Sequence, residues 1–158
     1  MQSQIENVKR TRIFLLDLVK DLTVAELNEV PEGFNNNIIW NLGHLVWAQQ
    51  GICYLRAGME PKVDASLLTP FRSGTKPEGL IDEPAIAVIK QALLSTIDQL
   101  EQDYAASIWQ QYTAWTTRYG VELKSIEDAL NFLLYHEGMH AGYIMALKRI
   151  VKPALVAG

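Results

Sequence analysis

Apolar residues recur at Ile5, Val8, Leu15, Val19 and Leu22, at intervals of three, four or seven that share one helical stripe, and they predict a first helix over residues 2–22. Thr23 followed by Glu26 has the spacing of a capping box and predicts a short helical turn, after which Pro31, Gly33 and Asn35-Asn36 break the pattern. A second long helix is expected to begin near Asn37 and to run through Ile38, Leu42, Leu45, Val46 and Ile52 to about Ala57, where Gly58 supplies a stop signal. Residues 58–83 carry Pro61, Pro70, Gly74, Pro77 and Gly79, so they read as a long irregular crossover with a short helical piece around 63–68. Asp82 and Pro84 open a third helix, striped by Ile86, Ile89, Leu93, Ile97 and Leu100. The aromatic and β-branched stretch 109–121 reads as an irregular connection. Ser125 and Asp128 then predict a capping box for a fourth helix, whose buried face carries Ile126, Ala129, Leu130, Leu133, Ile144 and Leu147.

Four amphipathic helices, with no alternation long enough to build a sheet, predict an all-α four-helix bundle with a long crossover between helices two and three. No internal repeat or composition shift divides the 158 residues, which suit one domain with a core large enough to fold without a metal or disulfide. Hydrophobic residues make up 49% and charged residues 20%, which excludes the disordered class. The net charge is −4, and the cations are scattered, as at Lys9-Arg10, Arg12 and Lys148-Arg149. No basic face suits a phosphate backbone, and nucleic acid is not an expected partner. The first residues lack a basic region followed by an apolar run, and no stretch reaches membrane-span length, so neither a signal peptide nor an anchor is expected. The single cysteine, Cys53, rules out an internal disulfide and fits a cytoplasmic location.

The chemistry concentrates in the three histidines. His136 and His140 stand four residues apart in the stripe of Ala129, Leu133, Ile144 and Leu147, so both imidazoles are expected to point into the bundle from adjacent turns. His44 shares a stripe of the second helix with Trp40, Trp47 and Gly51, and an inward His44 would face the fourth helix. Separate core histidines are the plainer reading. Two unpaired imidazoles on one inward face are nevertheless costly to bury unless something uses their nitrogens, and a metal ion between His44, His136 and His140 would do so. Three imidazoles suit zinc, nickel, copper or iron alike. The run His136-Glu137-Gly138-Met139-His140 also fits the zincin pattern. No histidine follows His140 and no acidic residue follows Glu137, however, so the downstream third ligand of a metalloprotease is missing. Cys53 lies nine residues after His44, about half a turn around the same helix, and is expected to face away as a buried thiol. Trp40 and Trp47 are candidate pocket walls, whereas Trp109, Tyr112, Trp115 and Tyr119 read as core. Arg72 and Lys76, in the crossover, read as solvated loop residues ahead of anion ligands.

The segment Ile38-Ile39-Trp40-Asn41-Leu42-Gly43-His44-Leu45 resembles the second-helix histidine motif of the DinB-like superfamily, the DNA-damage-inducible metal-binding bundles, which are unrelated to the DNA polymerase of that name. His136-Glu137-Gly138-Met139-His140-Ala141-Gly142 resembles the family's fourth-helix pair, and the order of motifs covers nearly the whole chain. The resemblance implies an up-down-down-up bundle, often a homodimer, with one divalent ion such as zinc or nickel on His44, His136 and His140. It also implies kinship with thiol-dependent S-transferases that use bacillithiol or mycothiol, and with related isomerases. Tyr143 stands where relatives often carry a glutamine, a departure from the pattern.

The expected function is therefore that of a metal-dependent transferase or hydrolase acting on a small-molecule substrate, with a low-molecular-weight thiol or water as nucleophile and Glu137 or Tyr143 assisting proton transfer. The alternative is a non-catalytic metal or small-molecule binding protein of a stress response. It predicts a coordination sphere closed by a fourth protein ligand, or no pocket beside the ion.

Overall fold

The computed structural model describes residues 1–153. Helix α1 spans Gln2–Leu18, one turn shorter than the apolar stripe that predicts it. Val19 and Leu22 stay buried beyond its end because the chain continues in a hydrogen-bonded turn, with Leu22 N donating to Val19 O. The capping box forms as expected: Glu26 N donates to Thr23 Oγ1 at 3.2 Å and Thr23 N to Glu26 Oε2 at 2.6 Å, which opens the short α2, Val24–Asn28.

Helix α3, Ile38–Cys53, starts at Asn37, whose side chain accepts from Trp40 N. The expected run to Ala57 is divided. The α-helix stops at Cys53, and a single 3-10 turn, Leu55–Ala57, follows and ends on Gly58 with φ 71°, a left-handed conformation that glycine adopts without strain. The carbonyls freed at that end are taken by the aromatic connection, where Trp109 Nε1 donates to Cys53 O at 2.6 Å and the Tyr112 hydroxyl to Ile52 O at 3.0 Å. Those two aromatics therefore serve the helix end.

The crossover contains helix α4, Ala65–Leu68, which runs into a 3-10 turn at Thr69–Phe71. Helix α5, Glu83–Ala105, is capped by Asp82 with Pro84 in its first turn. The stretch expected to be irregular contains a two-residue strand, β1 Trp115–Thr116, paired antiparallel with β2 Glu122–Leu123. Strands this short show no alternation, so periodicity does not announce them. Helix α6, Ile126–Val151, is capped by Ser125, which accepts from Asp128 N. The reciprocal half differs from the expected box, because the Asp128 carboxylate accepts from Lys124 N.

The four long helices pack so that α1 and α3 each lie against both α5 and α6, and α1 faces α3 across the diagonal. Their apolar stripes form two core clusters. One is built around Leu15, Leu42, Leu45, Leu93, Ile144 and Leu147, and the other around Ile5, Val8, Cys53, Ile97, Leu100 and Leu133. Among the described residues no helix is long and apolar enough to cross a membrane.

Between the two clusters lies a buried polar layer with one residue from each long helix. Arg12 of α1, read from sequence as one of the scattered charges, is fully buried instead. Its Nε and Nη2 donate to Glu137 Oε1 at 3.0 and 2.6 Å, and Nη1 donates to Gln49 Oε1 at 2.7 Å and to Thr96 Oγ1 at 3.1 Å. The carbonyls of Leu45 and Leu93 accept further bonds from the same guanidinium. A charge this deep persists because the fold satisfies every one of its nitrogens. The signal was present in the spacing, since position 12 falls in the stripe 5, 8, 15, 19, 22 at three- and four-residue steps.

Candidate metal centre

The i, i+4 spacing of His136 and His140 on α6 sets their rings in adjacent turns with centroids 4.5 Å apart. Because α3 packs on α6, His44 meets both, at 5.3 Å from His136 and 4.9 Å from His140. The candidate ligand nitrogens of all three lie within 4.8 Å of one another. Two of the three rings are fixed in tautomer. His44 Nδ1 donates to the Phe71 carbonyl at 2.8 Å, and His140 Nδ1 donates to Asn41 Oδ1 at 2.8 Å. The Asn41 amide is itself oriented by its Nδ2 donating to Asn37 O at 2.7 Å. Each of these rings is left with the Nε2 lone pair available, an arrangement typical of metal-ligating histidines.

His136 Nδ1 is buried without a hydrogen-bond partner. Burial lowers all three imidazole pKa values, to about 2 for His136 and about 3 for His140, so the rings are neutral at physiological pH. Three neutral imidazoles, two of them with Nε2 left available and the third with an unsatisfied nitrogen, fit a divalent transition ion. No cysteine, aspartate or glutamate joins the cluster among the described residues, so the cluster offers a metal ion three ligand nitrogens.

Trp40 and Trp47 sandwich His44, with centroids at 4.8 and 5.3 Å and interplanar angles of 11° and 24°. Trp40 also donates from Nε1 to Thr75 Oγ1, and it lines a cavity of about 250 Å³ together with Phe71, Arg72, Thr75 and Lys76. The crossover thus reaches the site directly. Its close approach depends on Gly43, where a Cβ would lie 2.5 Å from the Phe71 ring. Phe132 packs against the outer side of His136, at 6.1 Å.

The other sequence-derived candidates fall elsewhere. Glu137 lies outside the histidine cluster, fully buried, with Oε1 held by Arg12 and Oε2 unpartnered. Tyr143 continues the stripe of His136 and His140 one turn further and packs edge-on against Phe34 at 5.5 Å; burial raises its pKa. Cys53 is buried in the second core cluster, where desolvation lifts its thiol to about 12 and leaves it inert. Sequence reasoning missed Asn41 and the Phe71 carbonyl. Asn41 carried a weak signal as a polar residue one turn before His44 in an apolar run, whereas a carbonyl carries none.

A comparison with curated proteins finds no match for the chain. The family model of the DinB superfamily matches residues 8–144, a span that takes in all three histidines and both motifs around them. The chain belongs to the DinB superfamily.

Proposed function

We propose that this member of the DinB superfamily is a metal-dependent enzyme, a thiol-dependent S-transferase or hydrolase acting on small molecules, with zinc or nickel on His44, His136 and His140. The observation that carries the reading is the three-sided ligand set: neutral imidazoles brought within 4.8 Å with no fourth protein ligand among the described residues. A non-catalytic site is expected to close that position with a fourth protein ligand or to lack a pocket beside the ion. A bound divalent ion would lower the pKa of a thiol or water taking up a remaining coordination position, providing a nucleophile at neutral pH.

The chain's own residues supply the rest. Phe71 O and Asn41 hold His44 and His140 in the ligating tautomer. The two tryptophans stack on His44 and keep its ring from turning, and Trp40 also borders a cavity under the crossover whose lining includes none of the three histidines. Tyr143, one turn after His140 on the same helix, would be the proton donor to a leaving group. Glu137 acts at one remove, anchoring α6 to α1 through Arg12 and so fixing the backbone that carries His136. The diagonal placement of α1 and α3 is in keeping with an up-down-down-up order.

Elemental analysis of protein purified without chelator, followed by assay of the loaded protein with low-molecular-weight thiols against a panel of small electrophiles, esters and amides, tests the reading. One equivalent of metal and turnover are expected, and His140→Ala should lose both while keeping its helical circular dichroism. A fully loaded protein without turnover on any of these substrates would remove the catalytic reading.

A further inference from the structure

The cavity under the crossover is distinct from the histidine cluster in both place and chemistry. Its apolar lining is formed by Ile39 and Trp40 in the first turn of α3 and by Phe71, Pro77 and Ile81 of the crossover. An apolar cavity of about 150 Å³ accepts one benzene ring. At about 250 Å³, this one has room for a fused pair of rings and none for a helix or strand of a partner. Arg72, Lys76 and Glu78 stand at its exposed edge, and none of them is in an ion pair among the described residues. Two cations against one carboxylate give that edge a net positive charge, which favours a ring bearing an acidic group.

The walls are braced by hydrogen bonds along their whole length. At one end, Phe71 O accepts from His44 Nδ1 at 2.8 Å. In the middle, Thr75 Oγ1 accepts from Trp40 Nε1 at 3.2 Å and lies 2.7 Å from the Pro70 carbonyl. At the other end, the Asn28 side chain clasps Ile81 both ways, with Nδ2 donating to Ile81 O at 2.9 Å and Oδ1 accepting from Ile81 N at 2.8 Å. The Asn28 carbonyl in turn accepts from Asn37 Nδ2 at 2.8 Å, which ties the clasp to the start of α3. A space with its lining fixed in this way needs little ordering when a ligand enters, the condition under which small molecules bind well.

We propose that this cavity binds a small aromatic acid and that its occupancy is coupled to the histidine centre through Trp40 and Phe71. Both wall residues also hold His44: the Trp40 ring stacks on it with centroids 4.8 Å apart, and the Phe71 carbonyl accepts from its Nδ1. A ring packed against Trp40 and Phe71 restrains the two groups that orient a metal ligand, so it strengthens metal binding. The ion must then strengthen ring binding by the same factor. The coupling rests on the reading of the histidines as a metal centre, whereas the binding does not.

Calorimetric titration with 2-naphthalenesulfonate tests the proposal. A sulfonate coordinates transition ions weakly, so the probe reports the cavity rather than the ion. The metal-free protein is expected to bind one equivalent with a dissociation constant below about 1 mM. Ile81→Phe fills the cavity and keeps the backbone bonds to Asn28, and it should weaken binding by about tenfold or more. Arg72→Gln combined with Lys76→Gln changes only exposed side chains and should weaken it by about threefold or more. Nickel affinity is expected to rise about fivefold in saturating probe, and Ile81→Phe should abolish that rise. No binding to the wild-type protein, or binding that neither variant weakens, would overturn the site. Binding in the cavity with unchanged nickel affinity would overturn the coupling. Probe binding by a protein that takes up no nickel would support the site and overturn the coupling together with the metal centre.

Discussion

His136 and His140 are desolvated on the face of α6 that meets His44, and this single circumstance fixes both their chemistry and their cost. Burial holds the folded pKa values at about 2 and about 3, with His44 lowered as well, while in the unfolded chain all three titrate near the ordinary histidine value. Between those limits the unfolded state binds more protons than the folded one. The metal-free protein therefore loses stability as the pH falls below about 6.5, on the order of 1.4 kcal/mol per pH unit for each of His136 and His140. Urea midpoints measured between pH 7.5 and pH 5 should fall with acidity. A flat profile would mean that the rings are not buried neutral. Protons compete for the same nitrogens, so metal binding should weaken over the same window.

At the scale of the element, α3 and the crossover form one unit around Gly43. The Phe71 ring occupies the space a side chain would take there, and that contact places the Phe71 carbonyl on His44 Nδ1. Gly43→Ala puts a Cβ 2.5 Å from the ring, so Phe71 must move and its carbonyl with it. The expected cost is about 1–3 kcal/mol in stability. Metal affinity should drop together with stability, by about 10–100-fold, because the outer hydrogen bond orienting a ligand is lost. Calorimetric metal titration of the variant checks the second effect independently of the first. A variant that bound metal with wild-type affinity would show that the crossover merely lies against the site. The turn between β1 and β2 sets Tyr119 against Phe132, which in turn packs on His136.

Across the whole molecule, Arg12, Gln49, Thr96 and Glu137 tie all four long helices together in one plane between the two core clusters. Removing one partner of the buried pair leaves an uncompensated charge, so Arg12→Met is expected to cost about 3–5 kcal/mol. Arg12→Met combined with Glu137→Met should recover most of that loss, since an apolar pair of similar volume avoids burying any charge. Chemical denaturation of the single and double variants decides the point. Equal destabilisation in both would assign the loss to packing. Metal affinity in the double variant then reports whether the layer also sets the register of α6 that carries His136 and His140.

The helices, the capping residues Thr23, Asn37, Asp82 and Ser125, and the inward facing of the three histidines were legible from spacing alone, because a helix repeats every 3.6 residues and leaves its periodicity in the chain. The sequence by itself therefore determined that three imidazoles would be desolvated on two helices. It also placed Arg12 on a buried stripe, in a position where a charge is readily taken for a surface group. Tertiary structure alone decided what those groups meet. Sequence spacing is silent about positions 27 or 125 residues apart, so the Phe71 carbonyl on His44 and the engagement of Glu137 by Arg12 emerge only when the helices pack. Backbone carbonyls carry no residue signature, and a two-residue strand carries no period, which is why the ligand-orienting contact and the hairpin stayed hidden. Local periodicity specifies which face of a helix is buried; the partners on that face are set by the packing of distant segments.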